Sequence, residues 1–167
     1  MNNLKKLLKQ PLKAIPSSLA LFILIVAVLG FADATYLTVE HYRGVIPPCS
    51  VASGCETVLT SVYSKIFGIP VSLFGAIYYL LILIGVYSYF DTKKTVYLKW
   101  ALLLTSLGFL MTLGLVYIMA FVLKAYCQYC LLSAATSTIL FVTALIVLSK
   151  YRNSDMLLES NATTPTL

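Results

Sequence analysis

Charge is the first thing this chain lacks. Asp, Glu, Lys and Arg make up 11% of its 167 residues, and 60% are hydrophobic. A soluble domain averages roughly 25% charged residues, so the chain falls in the membrane class. Carboxylates are scarcer still, six against twelve Lys and Arg. The basic residues sit between apolar runs, where they set orientation in a bilayer rather than bind nucleic acid. No nucleic-acid module, nucleotide motif, flavin fingerprint, haem-ligation pattern or internal repeat is present. His41 is the only histidine, and in a polar loop it reads as a solvated residue rather than a ligand. The chemistry therefore rests on four cysteines, Cys49, Cys55, Cys127 and Cys130.

The apolar runs predict an all-α integral membrane protein, a bundle of four transmembrane helices. A basic lead, 1–13, precedes a first span at about 14–38, followed by spans at about 70–90, 96–123 and 128–149, each long enough to cross about 30 Å of hydrocarbon. A competing reading makes the lead and Leu19 to Phe31 a cleaved signal peptide ending at Ala32-Asp33-Ala34. Gly30 and Ala34 also form a small-x3-small packing face. Residues 39–69 are the one sizeable polar segment. Within it Val58, Leu59, Val62 and Ile66 share one side of a helix over Glu56 to Ile66, amphipathic and suited to a membrane surface. The tail, 151–167, is polar and expected to be disordered.

Loop charges orient the bundle. Nine Lys and Arg fall on the side holding both termini and the Asp91 turn, and three (Arg43, Lys65 and Lys124) on the other. The first side is expected to be cytoplasmic. All four cysteines then lie on the extracytoplasmic face, where disulfides persist.

Cys127-x2-Cys130 stands at the head of the last span, and Leu131 to Ser149 contains no charge. Cysteines three apart at a helix start suit a disulfide that opens and closes with little backbone movement. A helix N-terminus also favours the thiolate. Two alternatives compete. As a structural staple, so small a loop stabilises little by chain entropy. As a four-cysteine zinc site, the x5 spacing of Cys49 and Cys55 is wider than usual. The favoured reading is a dithiol relay moving two electrons at a time. Its acceptor would be a quinone dissolved in the bilayer, beside an apolar bundle opening at Cys130.

Cys49-x5-Cys55, Val58-x2-Ser61-x-Tyr63, Gly68-x-Pro70, Gly75 and Cys127-x2-Cys130 together resemble the vitamin K epoxide reductase family, over about Phe31 to Leu140. The resemblance implies a four-helix bundle that holds a quinone, ubiquinone or menaquinone, beside the Cys-x-x-Cys. It implies that Cys130 faces the quinone, that Cys55 attacks Cys127, and that Cys49 meets the external thiol. Bacterial members oxidise a thioredoxin-like carrier, and with no such domain in these 167 residues the partner is expected to be a separate protein. No metal is expected.

Two positions depart from the animal members, which have a tyrosine one turn after the Cys-x-x-Cys and an asparagine opening the second span. Here they are Ala134 and Val71, so the donors to a quinone carbonyl must be found elsewhere, with Ser72, Tyr78 and Tyr117 as candidates. Asp33, inside the first span, is a functional candidate as a proton route to reduced quinone. Its alternative is a carboxylate near enough to the interface to stay solvated. Two other functions remain open: a thiol-driven quinone or quinone-epoxide reductase, and a non-enzymatic tetraspan protein with stapled loops.

Overall fold

The computed structural model describes residues 17–49, 54–92 and 95–162. The basic lead, Ser50 to Ser53 of the loop, the Lys93-Lys94 turn and residues 163–167 lie outside the described residues.

Four long helices account for most of the chain. Helix α1 spans Ser17–Arg43 and ends where Gly44 takes a left-handed φ of 68°. There Gly44 N–H donates to His41 O and Val45 N–H to Glu40 O. This paired closure satisfies carbonyls that the last turn would otherwise leave open. A short helix, α2 (Cys55–Thr60), follows in the loop. A 3-10 turn at Val62–Ser64 leads to a minimal hairpin of β1 (Lys65–Ile66) and β2 (Ile69–Pro70). Phe67 and Gly68, both at positive φ, form its two-residue turn, the geometry that matches strand twist. Then come α3 (Val71–Thr92), α4 (Thr95–Tyr117) with a π-helical continuation at Ile118–Leu123, and α5 (Gln128–Ala162). All four long helices are apolar and long enough to cross a membrane.

The pairs α1–α3, α3–α4, α4–α5 and α1–α5 pack together, closing a four-membered ring around one core. Ala27, Tyr79, Ile82, Val86, Leu140 and Val147 are among its buried residues. Small residues set the helix spacing. The Tyr79 ring lies where a Cβ on Gly30 would be, and a Cβ on Gly75 would be in ordinary contact with Ala34, so the Gly30/Ala34 face is the seam against α3. Ala32-Asp33-Ala34 lie inside α1.

Three sequence expectations need correction. The loop helix is one and a half turns long, not a helix from Glu56 to Ile66. Thr60 and Ser61 turn their hydroxyls back onto the carbonyls of Glu56 and Val58, and Ser61 is extended. Such back-bonding competes with helix propagation. Only Val58 of the expected apolar side is buried, and Val62 and Ile66 are exposed. Second, although the spanning part of α5, Gln128–Ser149, is where it was expected, the helix runs on into the tail as far as Ala162. No Gly or Pro interrupts the sequence before Pro165, so charge alone does not end the helix. Third, Asp33 is not solvated: its side chain is buried, and Oδ2 has no hydrogen-bond partner.

Candidate active site

Both cysteine pairs meet at one end of the bundle. Cys55, Val58, Met119 and Cys127 form a buried cluster, with Cys49, Leu59, Val116, Leu123, Ala125, Tyr129 and Cys130 packed against it. Cys49 and Cys55 are joined by a disulfide, while Cys127 and Cys130 are thiols.

Local backbone explains how Cys127 reaches this place. The π segment ends at Lys124 in the left-handed region, where the Lys124 and Ala125 N–H groups both turn back to Met119 O. This abrupt stop lets the chain reverse within four residues and restart as α5 at Gln128. Cys127 is the residue just before that helix, and Leu131 N–H donates to its carbonyl at 3.0 Å. Its sulfur receives the N–H of Cys130 at 3.4 Å, as a capping oxygen would.

These contacts set the reactivity of Cys127. The thiol of Cys130, hydrogen-bonded to it, holds Cys127 down to about 7 against an ordinary value of 9.0. The backbone N–H groups of Cys130 and Tyr129 act in the same direction, while burial and the nearby Asp33 oppose it. Cys127 is thus a thiolate near neutrality, and the thiolate is the form that attacks disulfides.

The loop is pinned to the Cys-x-x-Cys segment at three points. Tyr129 OH donates to Pro48 O at 3.1 Å, and Gln128 Nε2 to the same carbonyl at 3.4 Å. At Gly54 a Cβ would lie 2.6 Å from Tyr126 N and 2.9 Å from Ala125 Cβ. The loop backbone therefore rests directly on the segment leading to Cys127, one residue before Cys55. Pro48, Gly54, Gln128 and Tyr129 were not candidates in the sequence. A glycine directly preceding Cys55 was the one legible signal, since glycine marks close backbone approach.

The remaining candidates separate. Ser72 lies beside the loop end of α3, its hydroxyl 3.0 Å from Thr38 Oγ1. Tyr117 is 60% exposed and stacks on Phe121, away from the cysteine cluster. Ala134 is half-buried on α5, its carbonyl accepting from Thr138. Tyr78 points into the bundle, and a Cβ on Gly108 would collide with its hydroxyl end. That hydroxyl faces Ser137, yet neither oxygen has a hydrogen-bond partner. Its neighbour Tyr79, which the sequence did not single out, is fully satisfied: its hydroxyl bonds Thr136 Oγ1 at 2.7 Å and Ser133 O at 2.9 Å. Among the described residues no group of His, Cys, Asp or Glu could hold a metal ion.

A four-helix bundle of membrane-spanning length, with a loop disulfide packed against a Cys-x-x-Cys at a helix start, has the fold and residues of a membrane oxidoreductase. The model of the vitamin K epoxide reductase family matches residues 21–145. The chain belongs to the vitamin K epoxide reductase family, whose members are thiol-dependent membrane reductases that use quinones and work with thioredoxin-like proteins. Comparison with curated proteins finds no match.

Proposed function

We propose that this chain is a membrane thiol:quinone oxidoreductase that reoxidises a separate, extracytoplasmic thioredoxin-like disulfide carrier and so supports disulfide formation. The observation that carries this reading is the division of the site. Cys55 and Cys127 are buried against each other's neighbours under the loop, whereas Cys130 keeps a partly open side.

In the proposed cycle one carrier thiol attacks Cys49 of the Cys49–Cys55 disulfide and expels Cys55, and the carrier's second thiol then breaks this mixed disulfide, leaving the carrier oxidised and Cys49 free. Cys55, now a thiolate, attacks Cys127 of the oxidised Cys127–Cys130 pair and expels Cys130 as a thiolate. Cys49 then displaces Cys127, which restores the loop disulfide and leaves both electrons on Cys127 and Cys130. The low pKa of Cys127 makes it a good leaving group in that last exchange.

A quinone when bound takes up two electrons, matching what the Cys127/Cys130 pair loses as its disulfide re-forms, together with two protons. The residues fit such an acceptor. Cys130, Ala134 and Ser137 lie three or four residues apart on one stripe of α5, so they face the same way. Ala134 has no bulk to fill the space between them. The unpartnered hydroxyls of Tyr78 and Ser137 offer donors to a carbonyl oxygen, and leaving them unsatisfied in a bilayer would cost several kcal/mol. Tyr117 is unsuited by its outward position, and Ser72 already has Thr38.

The test is quinone reduction by the detergent-purified full chain, given a reduced thioredoxin-like protein and a short-chain ubiquinone. Turnover is expected in the native chain and absent in Cys130→Ser. No turnover with ubiquinone or menaquinone analogues, or turnover undiminished in Cys130→Ser, would overturn the reading.

A further inference from the structure

Below the cysteines lies a layer of polar side chains that the electron relay does not use. Asp33 on α1 is ten residues in from Arg43, Tyr78 and Tyr79 are seven and eight residues in from Val71, and Ser133, Thr136 and Ser137 are within ten residues of Cys127. At 1.5 Å per residue these groups share one depth, roughly 10–15 Å below the cysteine end. Three helices thus contribute polar atoms to one level of an otherwise apolar core.

Asp33 is the anomaly in that layer. It is 8% exposed and Oδ2 has no partner, and Tyr79, which feels its charge, spends its own hydrogen bonds on α5. A structural carboxyl would have been paired, as Glu40 is with Arg43 at 3.2 Å. Asp33 also lies within electrostatic reach of Cys127, Cys130 and Tyr79. These titratable groups come from the turn before α5, from α5 and from α3. A carboxyl inside a membrane span with an unpartnered oxygen is a functional candidate by default, and this one lies within electrostatic reach of the redox pair.

We infer that Asp33 is the internal proton carrier of the site, passing protons to the acceptor as the Cys127/Cys130 pair is oxidised. This rests on the quinone reading above. As the pair closes to a disulfide, two electrons leave the sulfurs together with the one proton that Cys130 holds, because Cys127 is already a thiolate near pH 7. The Asp33 carboxyl delivers its proton from Oδ2 toward the acceptor's oxygen and is reprotonated by the proton that leaves Cys130. The acceptor's second proton follows the same route from the water at the cysteine end, into which the donor dithiol releases its protons on oxidation, so Asp33 ends as it began and two electrons and two protons are accounted for. The unpartnered hydroxyls of Tyr78 and Ser137 lie at the same depth to continue the route. Protons thereby reach the acceptor through a water-poor bundle, and Cys130 need not find solvent at each turnover.

The test uses the full chain in detergent with dithiothreitol as donor and a short-chain ubiquinone as acceptor, so that no partner protein is needed. Asp33→Asn is expected to lower kcat by about 10²-fold, the lower end of what general acid–base groups contribute, with KM for the quinone nearly unchanged. The native chain should show a solvent deuterium isotope effect, and Asp33→Glu should recover most of the rate. If the native chain turns over and Asp33→Asn matches it in kcat, the inference fails while the oxidoreductase reading stands. If the native chain reduces no quinone, both fall. Should Asp33→Asn not fold, infrared difference spectra of native protein carrying isotope-labelled aspartate decide the matter. The expected result is a change in an aspartate carboxyl band on quinone reduction, present also in an Asp91→Asn, Asp155→Asn variant. A silent carboxyl region overturns the inference.

Discussion

Tyr129, the second of the two residues between the cysteines of the Cys-x-x-Cys, donates its hydroxyl to the carbonyl oxygen of Pro48, the residue before Cys49, at 3.1 Å. One side chain thus ties the membrane-embedded pair to the loop pair. The Tyr36 ring, 5.6 Å from that of Tyr129, supports the same side chain from α1. The clasp holds two redox centres in register, although no helix bridges them.

Tyr129→Phe removes the hydroxyl and keeps the ring. A neutral hydrogen bond contributes about 1 kcal/mol net, which is roughly fivefold in rate if it is lost at the exchange step. Stopped-flow mixing with a reduced carrier should show electron transfer from loop to Cys127/Cys130 slowed by that factor. Quinone reduction by a pre-reduced Cys127/Cys130 pair should be unaffected.

Gly54→Ala probes the same contact from the loop. The added methyl would meet Tyr126 N at 2.6 Å, a backbone atom that cannot swing aside. Overpacking of this kind costs about 1–3 kcal/mol. The expected outcome is a lower melting temperature and a larger loss of inter-pair exchange than in Tyr129→Phe. Unchanged exchange would mean that the loop does not need to sit on the Ala125–Tyr126 backbone.

The hydrogen bond from the Cys130 thiol predicts a pH dependence. Because it lowers Cys127 to about 7, the thiolate is populated above that pH and is lost as pH falls through it. Ultraviolet thiolate absorbance of the protein with its loop disulfide intact should therefore have a midpoint near pH 7. In Cys130→Ala the midpoint should move up toward the ordinary thiol range, since the largest favourable contact is gone.

Much of this could be read from residues alone, and the failures share a physical origin. The four spans were legible because an uncharged run of about twenty residues has few alternatives in water. The cysteine pairing was legible because both pairs fall in the same polar ends of the runs. The loop was misread because the 3.6-residue period of Val58, Val62 and Ile66 competes with the Thr60 and Ser61 hydroxyls, which end the helix locally. Tyr79 went unnoticed because one tyrosine among twelve carries no mark of its position. Its importance appears only when Gly30 is seen to make room for its ring. Tyr117 was a reasonable candidate by depth along α4, but a uniformly apolar helix has no amphipathic face to show which side turns inward.

In the proposed relay, electrons pass between the pairs through a direct Cys55–Cys127 bond. Mass spectrometry of Cys49→Ser, Cys130→Ser protein, purified under non-reducing conditions and digested after blocking free thiols, reads that bond itself. With both resolving cysteines removed, the account predicts an intramolecular Cys55–Cys127 disulfide as the main species. Two free thiols at these positions under mild oxidation, or a bond from either cysteine to a second molecule instead, would contradict it.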